Sequence, residues 1–173
     1  MNEHPAFFIR DLPIYGNLIL APLSGYNDQP FRRLCLEFGA ALVYTGLLSA
    51  SAILYGSQRS DEMLRFHPDE HPLVCQLFGS DERILESAAH IVETLDIDVL
   101  DFNIGCAEPK TVKGGYGAAL LKDPAKIGRL MTRLVRATRV PVTGKMRLGW
   151  DVNSRNYLDV AHILEDSGAA LIA

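Results

Sequence analysis

Short apolar runs of strand length alternate along the chain with segments whose apolar residues recur at helical spacing. Residues 17–23 (NLILAPL) read as a buried strand. A helix follows in which Asp28 is the cap and Phe31, Leu34, Cys35 and Phe38 fall at i, i+3, i+4 and i+7 until Gly39 stops it. Residues 41–45 predict a second short strand, 49–55 a helix and 56–72 a polar loop. Residues 73–78 form a third strand, and after a Ser80 or Asp81 cap Ile84, Ala88, Ile91, Val92 and Leu95 make one apolar stripe. Residues 98–103 are the fourth strand. Asp123-Pro124 then opens a helix buried through Ile127, Leu130, Met131, Leu134 and Val135. Residues 141–146 are the fifth strand. Asn153 or Ser154 starts a helix with Tyr157, Val160, Ala161 and Leu164, ended by Gly168, and residues 169–173 begin a sixth strand.

Five strand and helix repeats plus the start of another predict an α/β fold of the (β/α)8 TIM-barrel type, incomplete. A doubly wound sheet fits less well, because no Gly-x-Gly-x-x-Gly follows the first strand. Closing such a barrel takes eight strands and about 250 residues. Residues 1–173 are therefore expected to be the N-terminal part of one barrel domain, cut from a longer protein, and the apolar strand stub at the end points the same way.

A chain that is 48% hydrophobic and 22% charged has enough apolar material for one core. No apolar run approaches the roughly 18 to 20 residues of a membrane span, and the N-terminus lacks the order of a secretory signal, so the cytoplasm is the expected compartment. Cys35, Cys75 and Cys106 are widely spaced, without a Cys-x-x-Cys pair, which suggests neither a disulfide framework nor a zinc site. The net charge of −4 argues against a nucleic-acid partner in bulk. Yet residues 107–147 hold ten of the 17 Lys and Arg against Glu108 and Asp123 alone, so that segment is +8 and the remainder −12. Such asymmetry permits a local polyanion site, although the spacing of Lys126, Arg129, Arg133 and Arg136 is that of a solvated helix face.

The run Asp101-Phe102-Asn103-Ile104-Gly105-Cys106 puts a thiol at the end of the fourth strand, where a parallel α/β fold builds its active site. Cys35 on a helical stripe and Cys75 inside a strand read as packing thiols. The Pro22-Leu23-Ser24-Gly25 turn, Gln76 and Lys145 also fall at or near predicted strand ends. Lys145 stands with Arg147 in an apolar strand pattern and needs an anionic partner, either a ligand or a structural carboxylate such as Asp101. The glycine-rich run 113–117 predicts a mobile loop, too poor in helix formers for a helix, whose Tyr116 could stack on a base. His67 and His71 are metal-ligand types, but Pro68 opposes the helix that would align them and no third ligand is evident, so no metal is expected.

APLSGYNDQPFRRLC, QLFGS, DFNIGC, GAALLKDP and PVTGKMRLGW, in this order and spacing, resemble the N-terminal barrel half of the tRNA-dihydrouridine synthase family, from about Leu20 to the last residue. The resemblance implies an FMN-dependent enzyme that uses NADPH to reduce particular tRNA uridines to 5,6-dihydrouridine, on an FMN-binding barrel followed by a helical tRNA-binding domain. It implies that Pro22, Leu23, Ser24, Gln76 and Lys145 contact the flavin, that Asn103 and Arg147 face the substrate, and that Cys106 is the catalytic acid protonating C5. A cysteine thiol titrates near ~8.5 in peptides and so carries its proton at neutral pH. The chain departs from the family pattern at Ala107, where Pro usually follows the Cys, and at Gly46, where Glu is common; the family's His-x-Arg motif and FMN-phosphate loops would fall beyond Ala173. Two other readings stand beside this one. A dihydroorotate or dihydropyrimidine dehydrogenase-like flavoenzyme would act on free pyrimidines, and an inactive truncated half-barrel would not be an enzyme. The +8 segment, LLKDP and KMRLGW favour tRNA.

Overall fold

A computed structural model describes residues 4–173. Five strands, β3 (Val43–Ser49), β4 (Leu73–Phe78), β5 (Val99–Ile104), β6 (Val142–Met146) and β7 (Leu171–Ile172), lie parallel in sequence order in one sheet. Before them β1 (Phe7–Ile9) and β2 (Leu12–Ile14) form an antiparallel hairpin. The helices are α1 (Gln29–Glu37), α2 (Ala50–Tyr55), α3 (Gln58–Met63), α4 (Glu82–Glu93), α5 (Pro109–Lys113), α6 (Pro124–Ala137) and α7 (Tyr157–Asp166). The sheet does not close among the described residues, an incomplete barrel.

Alternation along the strands sorts the side chains. Cys75, Leu77, Leu100, Phe102 and Ile104 point outward and are buried with Leu85, Ala88, Ala89 and Val92 of α4, Ile127, Leu130, Met131 and Leu134 of α6, and Val160 and Leu164 of α7. The inner face is most apolar at its lower, N-terminal end. There Leu42, Tyr44, Val74 and Val99 meet Ile9 and Ile14, so the hairpin plugs the bottom of the barrel. Side-chain caps explain the helix starts. Asp81 accepts from the N–H groups of Arg83 and Ile84, and Asp123 from that of Lys126 with Pro124 at the first position.

Several expectations are corrected. The first predicted strand, 17–23, shrinks to one parallel bridge between Ile19 and Leu42, because Pro22 lacks an N–H and the chain turns away at Leu23. The stripe read on α1 is not its buried face, since Leu34 and Phe38 are 46% and 79% exposed. That helix instead docks through Arg32, fully buried, and through Leu36. On α4 the buried line runs through Leu85, Ala88, Ala89 and Val92, which leaves Ile84, Ile91 and Leu95 at its margin. The 56–72 loop contains α3 and a 3₁₀ turn, Pro68–Glu70. The excursion after Cys106 is ordered as α5 and a second 3₁₀ segment, Gly117–Lys122, because Glu108 caps Thr111 N–H and Ala118, Leu120 and Leu121 are buried. Finally α7 starts after Asn156, since Asn153 and Ser154 are spent on a turn around the Asp151 carboxylate. Among the described residues no helix is long and apolar enough to cross a membrane.

Candidate active site

Strand register places Gln76, Asp101 and Thr143 side by side on the inner face of β4, β5 and β6, with Asn103 and Lys145 paired one layer higher. All but Lys145 are buried. The Gln76 amide donates to Asp101 Oδ2 (2.7 Å), and the Thr143 hydroxyl donates to Asp101 Oδ1 (2.5 Å). Asn103 Nδ2 donates to Gln76 Oε1 (3.0 Å), while Asn103 Oδ1 accepts from the backbone N–H groups of Cys106 (2.9 Å) and Gly105 (3.3 Å). Where the β3 register shifts between Tyr44 and Leu47, the Thr45 hydroxyl replaces a backbone acceptor and takes the Gln76 N–H (3.2 Å).

Burial pushes the Asp101 carboxyl up to about 6, with the bonds from Gln76 and Thr143 and the Lys145 charge pulling the other way. Burial, and then the Asp101 charge, also raise the Tyr44 phenol, and burial drives the Cys75 thiol up to about 12, as expected for an inert thiol. A carboxyl that binds its proton more tightly folded than unfolded adds stability below about pH 4 that is lost as pH rises through about 6. The difference amounts to about 3 kcal/mol. Urea unfolding of wild type and Asp101→Asn should therefore diverge, wild type losing about that much relative to the variant between pH 4 and pH 7.5; a pH-independent difference would show that burial does not dominate this group.

Above this layer Pro22, Ser24, Leu47, Gln76, Asn103, Cys106, Lys145 and Arg147 line a cleft of about 330 Å³. A second cleft of about 410 Å³, flanked by α2, α3 and α5, shares Ser24, Leu47 and Cys106 with it. Cys106 thus stands on the wall between two clefts. Its thiol donates to the Thr111 hydroxyl (3.8 Å), which in turn reaches the Glu108 carboxylate (3.4 Å). The loop is closed by Gly117, at φ 57°, where a Cβ would meet the Cys106 carbonyl at 2.5 Å.

Of the residues expected from sequence, the structure gathers Pro22, Ser24, Gln76, Asn103, Cys106, Lys145 and Arg147 around one cleft. Leu23 is not among them; it is exposed, and its carbonyl accepts from Tyr26 and Asn27 in the turn. Lys145 forms no ion pair among the described residues, so Asp101 acts on it only through space. Tyr116 packs on Phe78 (5.5 Å between ring centroids) instead of standing free. The basic segment is dispersed. Arg129 and Arg133 pair with Glu82 and Glu86 on the outer helical layer, Lys122 lies over the Trp150 ring, and Arg139 sits beside Arg10 at the far end of the barrel. Lys110 and Lys113 alone of that segment's Lys and Arg lie on α5, and Lys110 lines the second cleft. His67 caps the 3₁₀ turn and His71 binds Asp98 (2.6 Å), and no metal-holding cluster occurs among the described residues. Sequence reasoning missed Thr143, Thr111 and the second cleft; no local signal marks Thr143, whose place opposite Asp101 is set by strand register.

Comparison with known proteins adds a second, independent line. The profile of the family described as dihydrouridine synthase (Dus) matches residues 19–173. A tRNA-dihydrouridine synthase B of Pseudomonas putida is 38% identical over 166 residues, 95% of this chain and 49% of its own length. The tRNA-dihydrouridine synthase B of Pseudomonas syringae is 37% identical over 160 residues (92% and 48%), and a probable tRNA-dihydrouridine synthase of Rickettsia conorii is 36% identical over 165 (95% and 50%). The chain spans about half the length of these curated relatives. With a match that runs through the Cys106 strand and the cleft around it, the chain belongs to the dihydrouridine synthase family.

Proposed function

We propose that the protein reduces specific uridines of tRNA to 5,6-dihydrouridine with FMN as cofactor and NADPH as reductant, Cys106 protonating C5 of the uracil ring. The observation that carries this reading is the position of the Cys106 thiol, held at a strand end on the rim of a cleft that also presents Lys145, Gln76 and Asn103. The cleft suits an anionic heteroaromatic ring. Lys145 brings a cation without an ion-pair partner among the described residues, and the Gln76 and Asn103 amides each keep one N–H beyond those donated to Asp101 and to Gln76 respectively. Pro22, Leu23 and Ser24 would edge that ring, with Leu23 the outermost. FMN, when bound, supplies the hydride for C6.

The chain's own groups do the rest. Lys145, half-buried on the cleft wall, stabilises negative charge beside the ring. Cys106 holds the proton at Sγ, directed by Thr111, and the Thr111–Glu108 pair offers a route by which the thiolate regains it. Asn103 and Arg147 would face the uracil. The target base must leave its stack at a cost of about a few kcal/mol, and Arg59 and Lys110 at the second cleft, with Lys113 on the same helix as Lys110, could hold flanking phosphates. The same reading makes residues 1–173 the N-terminal part of an FMN-binding barrel, with the family's helical tRNA-binding domain outside it.

Mass spectrometry of nucleosides from the tRNA of cells lacking this gene, with and without complementation by the wild-type gene, tests the proposal. Loss of dihydrouridine at one or more positions and its return on complementation is expected. Unchanged dihydrouridine on deletion, or reduction of free pyrimidines in its place, would sink it.

A further inference from the structure

We propose that Asp101 is a positioning residue: it sets the direction of a hydrogen-bond chain running Thr143, Asp101, Gln76, Asn103, and so fixes the backbone of Cys106. The inference rests on the proposed function for what Cys106 does, and on geometry alone for how Cys106 is held.

The two ends of the chain are chemically one-directional. An ionised carboxylate only accepts, whereas the backbone N–H groups of Gly105 and Cys106 only donate. Between them stand two side-chain amides, Gln76 and Asn103, each of which would fit its space with nitrogen and oxygen exchanged. Because Asp101 accepts, Gln76 must turn its nitrogen toward it (2.7 Å) and its oxygen toward Asn103. Asn103 must then offer nitrogen to Gln76 (3.0 Å) and oxygen to the loop, where the N–H of Cys106 needs it (2.9 Å). The arrangement is consistent from one end to the other, and Thr143 holds the remaining carboxylate oxygen. Gln76, Asp101, Asn103 and Thr143 are all at least nine-tenths buried, so between these side chains a donor facing a donor stays unpaired, while the Gly105 and Cys106 N–H groups are half-buried at the cleft.

A buried carboxylate is a costly way to occupy this layer, which an uncharged amide of the same shape could fill. An amide would leave the direction unset, because the Thr143 hydroxyl can accept from its nitrogen as well as donate to its oxygen. In Asp101→Asn one arrangement keeps the wild-type direction, with the 101 nitrogen on Thr143; in the other Thr143 donates to the 101 oxygen, which turns the 101 nitrogen toward Gln76. Gln76 then gains by presenting oxygen and pointing its own nitrogen at Asn103, and the reversal ends with a donor opposite the Gly105 and Cys106 N–H groups. In that second arrangement the cysteine loop loses its bonds to Asn103 although no side chain has changed size.

Moving the carboxylate one step along the chain restores the polarity. In the double variant Asp101→Asn with Gln76→Glu, the carboxylate at 76 accepts from the 101 amide on one side and from Asn103 on the other, so Asn103 again turns its oxygen to the loop. A merely structural role for Asp101 would not be rescued by a second substitution at this site.

Amide hydrogen exchange of the whole protein, resolved at Gly105 and Cys106 and along β5, reads the chain without depending on activity. In Asp101→Asn, Cys106 N–H should exchange about three- to tenfold faster, the range expected for one lost hydrogen bond. The β5 amides 99–102 should keep their wild-type rates, and the double variant should bring Cys106 back to within about twofold of wild type. Wild-type protection at Cys106 in Asp101→Asn overturns the inference, as does a double variant that stays unprotected. If Asp101→Asn loosens all of β5, the double variant decides in the same way. Dihydrouridine formation by the wild type is scored separately, so a failure of the proposed function leaves this result standing, and the reverse also holds.

Discussion

Cys106→Ala is expected to lower dihydrouridine formation by about 10²- to 10⁴-fold, the range lost with a positioned general acid. The substitution should do little else. The loop backbone is held by Asn103 Oδ1 on the Cys106 N–H and by the Ala118 N–H on the Cys106 carbonyl (2.9 Å), and neither bond involves the thiol. The thiol itself is partly exposed and touches a polar group only at Thr111. Cys106→Ser keeps a hydroxyl in place but offers a far weaker acid, so it should resemble Ala more than wild type. Single-turnover conversion of unmodified tRNA, followed by nucleoside mass spectrometry, would check this. Activity of Cys106→Ala within about tenfold of wild type would mean that C5 takes its proton from elsewhere.

Arg32→Ala should be the most damaging substitution for stability, costing about 3 to 5 kcal/mol in urea unfolding. Arg32 and Glu70 form an ion pair at 2.6 Å with both side chains wholly inaccessible. The guanidinium also donates to the carbonyls of Asn27 (2.8 Å) and Arg65 (2.7 Å), and the second Glu70 oxygen accepts from the His67 N–H (2.6 Å). Removing Arg32 strands a buried carboxylate and two carbonyls at once. Lysine cannot reproduce a three-way planar fork, so Arg32→Lys should recover only a minor part of the loss. Replacing both partners with apolar residues, Arg32→Met with Glu70→Leu, should cost less than Arg32→Ala alone, because no charge is left behind. If Arg32→Ala unfolds within about 1 kcal/mol of wild type, the pair contributes nothing of consequence. The pair also ties the turn that carries Pro22 and Ser24 to the segment 65–70, with Asn27 bonded to the carbonyls of Ala21 and Tyr44.

The sheet strands from β4 onward and the long helices could be read from sequence because each one answers to a local signal. β4 begins and ends where the apolar run 73–78 does, and α6 starts where Asp123-Pro124 announces it. The cleft residues could be placed for a related reason, since a residue at the end of a parallel strand faces the cleft whatever surrounds it. What could not be read depends on contacts between distant segments. The apolar stripe of α1 gave the wrong face because a single ion pair to Glu70, 38 positions away, orients that helix. The hairpin strands have three residues each, too few to show a period. Order in the glycine-rich excursion comes from Tyr116 packing on Phe78 and from buried Ala118 and Leu121, partners that lie outside any local window. Asp101 looked like a counter-ion for Lys145, and only the register of β4, β5 and β6 reveals that its oxygens belong to Gln76 and Thr143.

The plug formed by β1 and β2 has a consequence for the order of events during synthesis. Ile9 and Ile14 bury themselves against Leu42, Val74 and Val99, with Leu171 packed at the same cluster, so their partners are distributed along almost the whole chain. At ribosomal speeds Leu171 follows Ile9 by on the order of ten to thirty seconds. Contacts of such long sequence separation are slow to form, and the hairpin residues, made earlier than every partner in this cluster, are therefore among the last of it to find their places. Until Leu171 and the strands before it are in place, the cluster around Ile9 and Ile14 is incomplete, and the apolar hairpin side chains lack part of their cover.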